Sequence, residues 1–227
     1  VSSGFATEDD ARQALIDHGR AMGTTGVDIG QAGALSLRWP RSAAAGMLIT
    51  PAAVTGDPLV VDDIVWMPLA ATAPPAGDGR RRPPSQWRLH RDILVGRDDV
   101  GSVLDAHGPE SSTLACSGRI QHQGIPAFHC RVAVAGGADI RCSPYARLGT
   151  RRLSDDVLAA LDGRRACLVA HRGLVVAARS PAAAVALAID VEGLCAQYRR
   201  LLALGDPVVL DRSEIEDIVA AWAGEQG

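Results

Sequence analysis

An apolar strand runs into polar side chains within "SVLDAHGPESS", residues 102–112. The run from Val100 to Leu104 reads as a buried strand, and Asp105 and His107 follow it two positions apart, on the same face of an extended backbone. A sheet presents two ligands to one ion in this way, and a chain also ends a strand beside water in this way. The segments on either side favour a layered α/β domain. Upstream, "SQWRLHRDILVGR" reads as a helix capped by Ser85, with Trp87, His90, Ile93 and Leu94 on adjoining faces. Downstream, "SSTLACSG" reads as a short helix starting near Ser111.

Further out the alternation continues. "TEDDARQALIDHGRAMG" has Thr7 as N-cap, acids in its first turn and apolar positions at Ala11, Leu15, Ile16 and Met22. "GALSLRW" and "AGMLIT" form a hairpin pattern, and "VVDDIVWMPL" reads as another strand. The Pro/Gly/Arg-rich stretch 74–84 reads as a mobile loop whose arginines, Arg80 to Arg82, form a solvated run. "FHCRVAVAGG" and "ADIRCSPY" read as extended segments, and "SDDVLAALDG" as a helix capped by Ser154. "RACLVAHRGLVVAA" is a continuous apolar strand interrupted at His171, Arg172 and Gly173. A long helix follows with Ser180 as N-cap and Pro181 in its first turn, and "RSEIEDIVAAWAG" is the terminal helix. Helices separated by short strands, with no internal repeat, predict one α/β domain over residues 1–227.

Composition narrows the function classes. A net charge of -3 gives no electrostatic footprint for nucleic acid or an anionic membrane, so neither is expected as a partner. No apolar run reaches the roughly 18 residues a membrane span requires, and no signal peptide is visible. The five cysteines are scattered without a CxxC pair, as expected for reduced thiols of a cytoplasmic protein. All 23 basic residues are arginine, so no side chain can form a Schiff base with a carbonyl substrate. Asparagine is absent too, which removes a common oxyanion donor.

The succession "GALSLR", "MLITPAAV", "PPSQWRLHRDIL", "DVGSVLDAHGPESSTLA", "GIPAFHCRVAVAGGADIRCSPYARLGTRRLS" and "RRACLVAHRGLVV" resembles the class II aldolase and adducin family over roughly residues 8 to 222. The resemblance implies a three-layer α/β/α domain around a central, largely antiparallel sheet, and a homotetramer with clefts between subunits. It also implies a zinc ion that stabilises an enediolate formed from a small phosphorylated ketose.

Fold alone does not assign function, and the positions the resemblance implicates depart from the family pattern. The first two metal histidines fall on Asp105 and His107, and the third falls on Arg172, while His171 sits one place early and, by strand alternation, would point to the other face. The catalytic glutamate falls on Gln86, and a tyrosine supplied by the neighbouring subunit falls on Cys130. The phosphate cradle falls on Gly33, Ala34, Ala52, Ala53 and Ser85, where only backbone amides and one hydroxyl remain to meet an anion.

A permanent positive charge at Arg172 repels a divalent cation, so Asp105 and Arg172 are expected to form an ion pair in a site that holds no metal. Zinc or iron(II) fits only if His171 joins Asp105 and His107. His90 and His129 read as structural, Glu110 and Glu192 as solvated or helix-surface acids, and Cys130 as an inert thiol.

The expected activity is a lyase, epimerase or dehydratase acting without zinc on a small, non-phosphorylated carbonyl or hydroxy-acid compound. His107 would serve as acid/base and Arg172 as the electrophile. One alternative is a non-catalytic homologue kept for binding or assembly, and another is a metal-dependent sugar-phosphate aldolase or epimerase with atypical ligands. The catalytic reading places Arg172, His107 and Gln86 in an open cleft, whereas the non-catalytic one fills that cleft with side chains.

Overall fold

The computed structural model describes residues 4–42, 44–52, 58–73, 81–205 and 207–225. Residues 74–80 of the expected mobile loop, and Ala53 of the expected phosphate cradle, lie outside them.

In chain order the helices are α1 (Glu8–Thr24), α2 (Trp87–Gly96), α3 (Pro109–Ala115), α4 (Gly118–Gln123), α5 (Arg151–Ala160), α6 (Pro181–Leu204) and α7 (Arg212–Glu225). The strands are β1 (Ala34–Arg38), β2 (Gly46–Ile49), β3 (Val65–Pro68), β4 (Ser102–Ala106), β5 (Ile125–Pro126), β6 (Asp139–Ile140), β7 (Cys142–Ser143), β8 (Ala166–Val169) and β9 (Gly173–Ala178). Seven strands form the central sheet in the order β3-β2-β1-β4-β9-β8-β7, while β5 and β6 pair separately. Every pairing in the central sheet is antiparallel except β7 with β8.

Strand alternation divides the core into two layers. Leu104 and Ala106 of β4, with Leu174 and Val176 of β9, pack among residues of α1 and α6, including Leu15, Val191 and Tyr198. Val103, Val175 and Ala177 face the other way, toward Leu89 and Ile93 of α2 and Leu153 and Val157 of α5. Fully burying each of the valine, leucine and isoleucine side chains contributes about 1.5–3 kcal/mol, so the sheet is held from both faces. Asp105 follows the parity of Val103 and therefore stands on the α2 face.

Helix ends follow local chemistry, with corrections to the sequence reading. Thr7 forms a capping box with Asp10, and the Ser180 hydroxyl accepts the Ala183 amide at 3.2 Å. Ser85 does not cap α2: Gln86 occupies the N-cap position without a side-chain cap bond, and Ser85 Oγ donates to Gln86 Oε1 at 3.0 Å. Ser154 does not cap α5 either. That helix begins one turn earlier, at Thr150, whose hydroxyl accepts the Leu153 amide, and Ser154 is buried inside it. α3 begins at Pro109, before Ser111, because proline suits a first helical turn.

The apolar run in "FHCRVAVAGG" winds into a 3-10 helix over Cys130–Ala135 that ends at Gly136, at φ 93°. A short apolar run has no period of its own to separate strand from helix. "RACLVAHRGLVVAA" is a tight hairpin, β8 to β9, rather than one interrupted strand. Within the arginine run, Arg81 pairs at 3.0 Å with buried Asp63.

Candidate active site

The end of β4, the start of β1, the β8–β9 turn and α2 converge on Asp105. Register puts Asp105 between Ala34 of β1 and Val175 of β9, fully buried. Its Oδ1 accepts the Ala34 amide at 3.0 Å and His90 Nε2 at 3.1 Å, and its Oδ2 accepts Arg172 Nη2 at 2.7 Å. His90, itself 0% exposed on α2, contacts Ser36 Oγ through Nδ1 at 2.8 Å. An ionised carboxylate only accepts, so the His90 imidazole donates to Asp105 from Nε2, while Nδ1 shares a hydrogen bond with the Ser36 hydroxyl. Burial alone would raise the Asp105 pKa. The His90 hydrogen bond and the Arg172 charge outweigh burial and hold it at about 2.

Arg172 reaches Asp105 because β4 and the start of β9 approach closely. A Cβ on Gly173 would lie 2.2 Å from the Ala106 carbonyl oxygen, so only glycine lets β9 leave the turn this near β4. The turn is pinned by the Ser112 hydroxyl, which donates to the Arg172 carbonyl at 2.9 Å. The Arg172 side chain is 15% exposed, and its Nε is buried without a hydrogen-bond partner.

A second carboxylate, missed from sequence, positions His107. Asp28 is buried; its Oδ1 accepts the His107 amide at 3.0 Å and its Oδ2 the Gly33 amide at 2.9 Å. His107 Nδ1 stands 3.6 Å from Asp28 Oδ1, beyond hydrogen-bonding distance, and is buried without a partner. Asp28 sits among apolar and glycine residues in "GVDIGQAG", with no periodicity to announce it.

His107 and Arg172 line a cleft of about 210 Å³ together with Tyr145, Leu148, Val169 and His171. His171 lies in the turn at φ 59°, its Nε2 3.1 Å from Gln121 Nε2 and its ring edge-on to Tyr145. Turn geometry, not strand alternation, therefore sets its direction. Gln86 does not line this cleft: it is buried, and its Nε2 donates to the Ala32 carbonyl at 2.8 Å.

The amides of Gly33 and Ala34 are already bonded to Asp28 and Asp105, and that of Ala52 to the Arg82 carbonyl. Cys130 is exposed, its Sγ 3.7 Å from His129 Nδ1. Glu192, read as a surface acid, is buried instead and accepts the Glu110 and Ser111 amides at 2.5 and 3.1 Å, capping α3 from α6. Glu110 pairs with Arg199.

Residues 13–199 match the model of the Class II Aldolase and Adducin N-terminal domain. The chain belongs to the class II aldolase and adducin family. It is 44% identical over 208 residues to the 5-methylthioribulose-1-phosphate/5-deoxyribulose-1-phosphate aldolase of Rhodospirillum rubrum, covering 92% of this chain and 89% of that protein. Against the L-fuculose phosphate aldolase of Escherichia coli K12 the identity is 36% over 210 residues, covering 90% of each. A solved L-fuculose 1-phosphate aldolase superposes with a TM-score of 0.85 at 30% identity, over 98% of this chain and 100% of that one.

As in the expected class II aldolase fold, the sheet is mainly antiparallel with helices on both faces. Among the described residues, no helix is long and apolar enough to cross a membrane. Nor do three His, Cys, Asp or Glu side chains among them gather as a metal-ligand set.

Proposed function

We propose that this class II aldolase-family protein is a lyase that takes a small phosphorylated ketose into the cleft beside Arg172 and His107. The observation that carries the reading is the Arg172 guanidinium. It is clamped on buried Asp105, lines the cleft, and keeps an Nε–H without an acceptor.

Cleaving a ketose 1-phosphate between C3 and C4 requires a base to take the C4 hydroxyl proton. The O–H electron pair then forms the aldehyde C=O, and the C3–C4 pair moves through a C2=C3 bond onto the C2 oxygen. Protonation at C3 completes a three-carbon ketone phosphate. A fixed guanidinium stabilises the negative charge that develops on the C2 oxygen, and His107 takes the proton and returns it at C3. The relatives are named for phosphorylated ketoses, which weighs against the expected non-phosphorylated substrate. The Gly33, Ala34 and Ala52 amides are committed elsewhere and do not form the expected phosphate cradle.

Gln86 favours a second reading, binding without turnover. Its amide cannot serve as a general acid or base as a carboxyl would, and it is pinned between the Ala32 carbonyl and the Ser85 hydroxyl. Incubation with 5-deoxyribulose 1-phosphate, followed by detection of the released aldehyde, separates the two. The lyase reading expects release by the wild type and its loss in both Arg172→Ala and His107→Ala. Calorimetric binding with no release supports the second reading, and absence of both binding and release overturns both.

A further inference from the structure

The divalent ion that the family implies does not suit the side chains present. A divalent cation needs several converging donors with free lone pairs. Both Asp105 oxygens already accept hydrogen bonds, from Ala34, His90 and Arg172. His107 keeps an unbonded Nδ1, 3.6 Å from Asp28 Oδ1, but no second imidazole joins it, because His171 is turned to Gln121 and Tyr145. Arg172 adds a permanent positive charge to the same place, and at close range in a poorly hydrated pocket its repulsion of a divalent ion is strong.

We infer that the Arg172 guanidinium, fixed by Asp105, His90 and Ser36, is the site's built-in cation and takes the electrostatic role of a metal, so that the site neither holds nor needs a divalent ion. A metal ion would act as a compact point charge whatever its orientation. A guanidinium has to be oriented, and the structure supplies that orientation. Oδ2 of a carboxylate buried in the sheet holds Nη2, and the other oxygen of that carboxylate is anchored from β1 and from α2. The chain from Ser36 through His90 and Asp105 to Arg172 joins β1, α2, β4 and the β8–β9 turn, so the cation is set by rigid elements.

Only Nη2 is bonded to Asp105, so the other N–H groups of a guanidinium that is 15% exposed and lines the cleft remain for a ligand oxygen carrying negative charge, and the buried Nε–H is left without an acceptor. This inference rests on the proposed lyase reading only in naming that oxygen as the one on C2. The metal-free cation stands apart from turnover.

The test uses metal binding, which does not depend on activity. Protein purified without chelator is analysed for transition metals and titrated with cobalt(II) while its visible absorption is followed. The expected result for the wild type is substoichiometric metal and no cobalt band. The Asp105→His/Arg172→His double variant, which keeps His107, is expected to gain one cobalt per chain, with affinity higher by about two orders of magnitude or more. One tightly held zinc or cobalt in the wild type overturns the inference. So does a double variant that is folded by circular dichroism and gains no cobalt. If the double variant fails to fold, the wild-type measurement decides alone. Catalytic activity without bound metal supports both readings, whereas an inactive, metal-free wild type defeats the lyase reading and leaves the cation assignment standing.

Discussion

At the scale of single residues, Asp105 shows how one substitution changes an entire pocket. With 0% exposure it is a carboxylate that depends on its partners. Arg172→Met removes one and leaves a buried charge held only by His90 and the Ala34 amide, which costs about 3–5 kcal/mol when the pocket is closed to water. Urea unfolding of the wild type and variant measures this directly, and a change below about 1 kcal/mol would mean that the pair is solvated. The pH dependence has a definite sign. The Asp105 pKa is depressed from 3.8 to about 2, so the stabilisation is complete above about pH 4 and is lost as pH falls toward 2. The shift corresponds to roughly 2 kcal/mol. In Arg172→Met the pKa rises, and the acid-side loss of stability begins at higher pH. An unchanged acid limb would count against the pairing. The pairing of Asp105 with Arg172 was legible from sequence, because two positions that the resemblance brings together carry opposite charges. Neither Asp28 nor the contact from His90 to Asp105 was legible, since each joins segments far apart in the chain through one side chain without any local pattern.

At the scale of elements, the β1–β2 hairpin and the amphipathic helices followed from periodicity, and Thr7 and Ser180 were legible as caps of their own helices, whereas the Thr150 cap of α5 and the β8–β9 turn were not. Where a cap arrives from elsewhere the sequence is silent. α3 is seven residues long and begins at Pro109, two residues after His107, with its first amides satisfied by Glu192 of α6. Nothing within "HGPESSTLA" indicates that partner. The packing leaves no room beside it, because a Cβ on Gly108 would fall 2.3 Å from Glu192 Oε2. Glu192→Ala therefore leaves two amides at the start of α3 without their acceptor and is expected to cost about 1–3 kcal/mol, read as a lower urea midpoint at unchanged slope. Because α3 also fixes the β8–β9 turn through Ser112, the same variant should loosen Arg172. Its penalty and that of Arg172→Met should consequently sum to more than the loss in the double variant, as coupled sites do. Strict additivity would show that α3 and the turn are independent. The 3-10 helix at Cys130–Ala135 escaped the sequence reading for a different reason, since a run of small and β-branched residues satisfies a strand pattern equally well.

At the scale of the whole molecule, the sheet order and its two-sided core account for the fold, and the cleft opens to water past exposed side chains. Tyr145 and Leu148 line it with relative exposures of 65% and 36%. Ile29, 59% exposed, donates its amide to the His107 carbonyl at the same end of the sheet. Three large apolar side chains left in water around a charged pocket are the expected rim of a surface that another chain covers. The resemblance to the class II aldolases implies that the cover is a second copy, with four subunits around one axis and Cys130 brought to a neighbour's cleft. Sedimentation should then report a tetramer, and a monomer across a wide concentration range would refute it. Thiol labelling gives an independent reading of the interface. Cys167 and Cys195 are buried, and burial also pushes the partly exposed Cys142 thiol up to about 11, which leaves Cys116 and Cys130 as the accessible thiols of an isolated chain. In a Cys116→Ser variant, assembly on the Cys130 surface predicts slow maleimide labelling that accelerates when dilution or mild denaturant separates the subunits. Fast labelling of Cys130 in a sedimenting tetramer would show that the subunits meet through a different face and that each cleft is built from one chain alone.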